Sequence, residues 1–308
     1  MKKLIVSLLF GATLVSGYES DSGQSQDLYH FSDAVRFAEL LQSSAELPDA
    51  EAIQTAYLDH ATRGVEIFTP NRIENAKNLH AELHRNPEAY LHAVERCLPA
   101  VKALEAEAVD VLRRAAELLQ QKEVAPIYMV FGAMNSGGTA GPDGVVIGLE
   151  VACQEVQNLD EANALIANLV AHEIVHVYQI RNVSSELASM RPTVLSQSLV
   201  EGLADYIAVR LQGKSTQSEA ERYDYVVQHE AELWHEFSAQ LDSHTLQPWM
   251  YQRQVEGRPA DLGYSIGRRI VEAYVANSVD EAAALKELLS FSDPHEIVRK
   301  SGYAESLD

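Results

Sequence analysis

Cysteine is nearly absent from this 308-residue chain, occurring only at Cys97 and Cys153. Two cysteines cannot close a four-cysteine structural zinc site. An oxidising compartment permits a bridge between them. Cys97 in a helical pattern and Cys153 at the end of a strand pattern fit two separately buried thiols equally well. Basic residues are also scarce: 24 Lys and Arg stand against 45 Asp and Glu, a formal charge of −21. That balance argues against nucleic acid as a partner, because phosphate binding needs clustered cations. After the first seventeen residues no run is apolar enough to span a membrane. There is no internal repeat and no low-complexity tract.

What is present suffices for a sizeable core, with 46% of residues hydrophobic. Residues 1–17, "MKKLIVSLLFGATLVSG", carry two lysines and then a short apolar stretch. They read as a signal peptide cleaved near Gly17, with a retained N-terminal anchor as the alternative. No cysteine follows to accept a lipid, so the expected destination is the periplasm or the medium. Residues 18–27 are polar and expected to be disordered. Residues 28–122 show apolar residues at helical spacing, punctuated by Pro48, Pro70, Pro87 and Pro99, and predict a helical lobe of four or five helices. Residues 123–213 change texture. "PIYMVFG" and "GVVIGLEVA" read as two strands, antiparallel neighbours joined by the glycine-rich "AMNSGGTAGPD". A helix from Glu161 to Arg181, capped by Asp160, and another from Thr193 to Leu211 follow. Residues 214–308 are mostly helical. The expected fold class is α+β, mostly helical, with a small antiparallel sheet.

The chemistry concentrates in "LVAHEIVHVYQI", residues 169–180. Residues four apart on a helix share a face, so His172 and His176 can aim their rings at one ion. Glu173 stands beside that position without occupying it, as suits a base that deprotonates water. Burying three polar side chains on so apolar a helix is costly without a partner, and a metal supplies one. Spacing alone is weak, as "LHAELHRN" shows. There His80 and His84 are also four apart, but Ala81 replaces the glutamate and the segment is polar; it reads as a solvated helix face.

A hydrolytic zinc site needs a third protein ligand and an open position. The extended motif with a later glycine and third histidine fails, because Gln179 and Asn182 occupy those places. Downstream, "LVEGLADYIAV" sets Glu201 and Asp205 four apart on an apolar helix, with Gly202 and Ala204 small enough for close helix approach. Glu201 is the candidate third ligand. Asp205 is the candidate to accept the outer N–H of a histidine and fix its tautomer.

H-E-x-x-H followed by a helix bearing E-x-x-x-D resembles the gluzincin group of zinc peptidases. More closely, "NSGGTAGPDGVVIGLE", "LIANLVAHEIVHVYQ", "LVEGLADY" and "LGYSIGRRIV", in that order, are similar to a bacterial family of predicted zinc-dependent proteases related to the gliding-motility lipoprotein GldB. The resemblance implies a zincin-like core, ligands His172, His176 and Glu201, and Glu173 as general base. Lipid anchoring does not carry over, since the required cysteine is missing.

The expectation is therefore an exported metallopeptidase with one Zn2+ per chain, acting on a peptide or protein substrate. In zincin folds an edge strand beside the active-site helix binds substrate backbone; either predicted strand can supply it, and the "NSGGTAG" loop can rim the cleft. Tyr264 is the candidate for stabilising the oxyanion, with Arg268 a weaker one. The alternative is a periplasmic assembly or scaffolding factor whose metal is structural or vestigial. Oligomeric state is left open.

Overall fold

Proline, glycine and polar capping side chains mark the ends of several helices. The computed structural model describes residues 28–43, 46–185, 189–252 and 256–307. The expected signal peptide and disordered tail lie outside them. Seven α-helices, not four or five, occupy the first part of the described chain, α1 (Ser32–Ser43), α2 (Ala50–Ala56), α3 (Arg63–Phe68), α4 (Ala76–Arg85), α5 (Pro87–Arg96), α6 (Leu98–Ala103) and α7 (Glu105–Leu118), with a short 3-10 turn at Leu58–His60 and a π-helical turn at Thr69–Ile73. The larger number has a local cause. Pro87 and Pro99 each sit in the first two positions of a helix, where the missing N–H costs nothing, so each opens a new helix after the previous one stops.

The sheet departs from the expected topology. Four strands, β1 (Tyr29–His30), β2 (Ile127–Val130), β3 (Gly138–Gly141) and β4 (Gly144–Gly148), lie in the order β1-β2-β4-β3. The two strands read from the sequence, β2 and β4, are neighbours but run parallel. The glycine-rich connection between them is itself a strand, β3, and it supplies the antiparallel pairing to β4. The sheet is thus mixed. Glycines and alanine gave β3 no side-chain alternation to read, and β1 is too short to show any. β2 and β4 are buried along their whole length, as the continuous apolar runs of a covered parallel pair require.

After β4 come α8 (Leu149–Ala152) and the 24-residue α9 (Leu159–Asn182). Asn158, not Asp160, caps α9, its side chain accepting the Glu161 N–H. Asp160 lies in the first turn, where its charge suits the helix dipole. The next helix, α10 (Val194–Gln212), begins at a Thr193–Ser196 capping box and stops at Gly213, whose φ of 72° is the left-handed conformation glycine adopts freely. The remainder is α11 (Gln217–Gln228), α12 (Glu230–Ser238), α13 (Leu262–Asn277), α14 (Glu281–Leu289) and α15 (Pro294–Ser301).

α13 lies against α10 with almost no separation. A Cβ on Gly202 would collide with the backbone of Gly267, and one on Gly267 with the Ser198 carbonyl. This contact fixes α10, and with it Glu201 and Asp205, against the helix carrying Tyr264. The two cysteines are bridged, Cys97 to Cys153 with Cα atoms 6.3 Å apart, tying the α5–α6 junction to the end of α8. Among the described residues no helix is long and apolar enough to cross a membrane.

Candidate metal centre and cleft

α9 and α10 run past each other so that the faces carrying the histidines and carboxylates meet. His172 Nε2 and His176 Nε2 are 3.2 Å apart, and Glu201 Oε2 stands 3.3 Å from the first and 3.2 Å from the second. These three atoms make a nearly equilateral triangle. Ligands about 2.0–2.1 Å from one zinc ion in a tetrahedron stand about 3.3 Å apart. The residues therefore fit a zinc ion, and together they form a group able to hold a metal.

Hydrogen bonding on the far side of each ring settles what the near side offers. His172 Nδ1 donates to Asp205 Oδ1 at 3.0 Å, and His176 Nδ1 donates to Gln179 Oε1 at 2.7 Å. The Gln179 amide is itself oriented, because its Nε2 donates to the Val200 carbonyl at 2.9 Å. Both rings thus carry their proton on Nδ1 and turn the Nε2 lone pair toward the triangle. The Glu201 carboxylate adds a third lone pair. Its other oxygen, Oε1, accepts from Gln197 Nε2 at 3.1 Å and from the Tyr251 hydroxyl at 3.0 Å. Three electron-pair donors converge in a buried place, and only positive charge relieves that.

The electrostatics of the cluster point the same way. Burial opposes the charged imidazole of His172, but contacts with Asp205 and Glu201 outweigh it and hold the ring well above its usual pKa. His176 is likewise raised, with Glu201 overcoming the effect of burial. Burial would raise Glu201, yet the two imidazoles pull it well below the usual carboxylate range. Arg222, on α11, donates to Asp205 Oδ2 at 2.9 Å and so supports the carboxylate that holds His172.

The triangle opens on a cleft of about 850 Å³. Glu173 lines it and packs against β3, where a Cβ on Gly138 would strike the Glu173 carboxylate. Tyr264 also lines it, its ring 6.3 Å from that of His172 and tilted 24° to it, with the Arg222 guanidinium 4.8 Å from the centre of the Tyr264 ring. Burial, then the nearby Glu201 charge, pushes the Tyr264 phenol far above its usual pKa, so the hydroxyl keeps its proton. Arg268 does not face the cleft: it binds Glu272 at 2.8 Å and lies over the Tyr223 ring.

The floor of one cleft wall is β3, the last strand of the sheet. Gly148 N–H donates to Gly137 O, which makes Thr139–Val146 and Gly141–Gly144 the hydrogen-bonded pairs. Gly138 and Ala140 therefore turn their backbone groups away from β4, and both line the cleft. The segment leading into β3 is anchored by Glu150, fully buried, whose Oε2 accepts from Gly132 N–H at 2.9 Å and Oε1 from Met134 N–H at 3.3 Å.

A family model described as "Predicted Zn-dependent protease (DUF2268)" matches residues 100–297, well over half of the chain. The chain belongs to this family of predicted zinc-dependent proteases. No curated protein and no solved structure matches it. The span shared with the family contains His172, Glu173, His176, Glu201, Asp205 and Tyr264.

Five parts of this family member's candidate site are not marked in the sequence: Gln179, Gln197, Arg222, Tyr251 and the strand β3. Gln179 had a usable signal, since it lies three residues after His176 on the same helix face. Arg222 and Tyr251 arrive from distant segments, and nothing in their local pattern marks them.

Proposed function

We propose that the protein is an exported zinc-dependent metallopeptidase. The carrying observation is the triangle of His172 Nε2, His176 Nε2 and Glu201 Oε2 at the mouth of a cleft that also holds Glu173. A structural site is normally closed by a fourth protein ligand, whereas three ligands beside an open cleft suit hydrolysis. A zinc ion held there supplies Lewis acidity, acidifying water and polarising a carbonyl oxygen.

The chain's own residues do the rest. Glu173 takes a proton from the attacking water and passes it to the leaving amine. Gly138 leaves room for its carboxylate to do so. Tyr264 donates a hydrogen bond to the carbonyl oxygen as negative charge develops on it. Asp205 and Gln179 keep the two imidazoles in the tautomer that binds metal, and Tyr251 and Gln197 hold Glu201 so that a single oxygen faces the ion. An extended peptide adds to β3 through the outward N–H groups of Gly138 and Ala140 and the Ala140 carbonyl, the Gly138 carbonyl already accepting from the Ser136 hydroxyl at 2.6 Å, and this carries its backbone past Glu173.

Export is supported by the leader-like residues 1–17 and by the Cys97–Cys153 bridge, since disulfides persist in oxidising compartments. The test is a diverse peptide library offered to the zinc-loaded protein. Cleavage that disappears on chelation and returns with zinc is expected. A fully zinc-loaded protein that cleaves nothing would contradict the proposal.

A further inference from the structure

The cleft carries cations that the hydrolytic machinery does not use. Among the described residues, Arg72 and Arg191 are the two arginines whose side chains make no hydrogen bond, ion pair or ring contact, and both line this cleft. Every other described arginine has a partner, as a chain with 45 acidic residues readily provides. The two are not alike. Arg191 is exposed, whereas Arg72 is half-buried with its Nε enclosed and unpartnered. The enclosed Nε fixes the stem of the side chain out of reach of a ligand, and the guanidinium's terminal nitrogens are left to take a carboxylate through two parallel hydrogen bonds.

Arg72 also has a definite place along the substrate path. Asn135, three residues before Gly138, donates from Nδ2 to the Arg72 carbonyl at 3.0 Å, so Arg72 stands at the N-terminal end of β3. Antiparallel pairing is the stronger mode of strand addition. A peptide added that way runs opposite to β3 and brings its C-terminal residues to Arg72, beyond the bond held at Glu173. Arg72 lies outside the residues matched by the family model, so this feature belongs to the N-terminal helices of this chain.

We propose that Arg72 binds a carboxylate of the peptide on the C-terminal side of the scissile bond. The proposal rests on the peptidase reading for its orientation, and its test does not need turnover. The probes are fluorescein-labelled alanine–leucine hexapeptides ending in Glu or Gln, each as free acid and as amide. Their binding to zinc-loaded Glu173→Gln protein is measured by anisotropy, with Arg72→Gln, Arg72→Lys or Arg191→Gln added.

The expected result is about tenfold tighter binding of peptides that carry the recognised carboxylate than of their neutral twins. Arg72→Gln should remove that preference while leaving the neutral peptide's affinity unchanged. Arg72→Lys should keep part of it, and Arg191→Gln all of it. Loss on amidation assigns the terminal carboxylate and loss on Glu to Gln assigns a side chain; either supports the proposal. Equal binding of all four peptides, or a preference that survives Arg72→Gln, overturns it. If the preference holds but wild-type protein cleaves none of the peptides, the carboxylate site stands and the peptidase reading falls.

Discussion

The chain contains two helical pairs of histidines four residues apart, and they differ in everything except spacing. The rings of His80 and His84 on α4 are 4.1 Å apart, closer than the 4.9 Å between those of His172 and His176. Proximity of two imidazoles therefore identifies nothing. What separates the pairs is their surroundings: His84 is exposed, and among the described residues only the second pair has a carboxylate within ligand range of both rings. Only that pair has each Nδ1 committed to an acceptor, Asp205 or Gln179, so that both Nε2 lone pairs face the same point. A metal site is made by the groups behind the ligands as much as by the ligands.

The comparison breaks most sharply by deleting one histidine from each pair. His176→Ala should weaken zinc binding by about a thousandfold or more, exceeding the tenfold to hundredfold typical of outer partners. His84→Ala should leave zinc affinity unchanged and stability within about 0.5 kcal/mol. Competition titration with a chromogenic chelator measures the affinities, and equal losses in the two variants would erase the distinction.

A second contrast sets Glu201 against Glu150, two buried carboxylates with opposite neighbours. Glu201 faces two imidazoles and is held well below its usual pKa. Glu150 has only backbone N–H groups, which do not offset its burial, and it is pushed up to about 7. A carboxyl raised in the folded state contributes stability that is complete below its unfolded value, near 4.5, and is lost as pH rises through 7. Urea unfolding from pH 4.5 to 8 should show wild type losing up to about 3 kcal/mol relative to Glu150→Gln. A difference independent of pH would contradict this account of Glu150.

The smaller sharpening concerns the support behind His172. Asp205→Asn keeps the shape but weakens the acceptor for Nδ1–H, and should cost tenfold to a hundredfold in zinc affinity. Unchanged affinity would mean that Asp205 only balances Arg222.

Much of the candidate site is legible in the sequence alone. His172, Glu173, His176, Glu201 and Asp205 lie on two long helices, where a four-residue spacing translates directly into a shared face. The small residues Gly202 and Ala204 of "EGLADY" point to a close helix approach, and α10 makes it with α13. The parts that stayed hidden depend on pairing between distant segments. β3 is built from glycine, threonine and alanine, so no pattern distinguished it from a loop, and the parallel pairing of β2 with β4 followed from its presence. Tyr251 reaches Glu201 across fifty residues of sequence. Whether Cys97 meets Cys153 was likewise a question of tertiary path.

Glu173 is proposed to act as base beside a zinc ion held by His172, His176 and Glu201. The most direct measurement compares wild type with Glu173→Gln for zinc content and for turnover of one peptide that wild type cleaves. One zinc per chain is expected in both proteins, with a kcat lower by about 10²–10⁴-fold in the variant. Equal turnover by the two zinc-loaded proteins would contradict it.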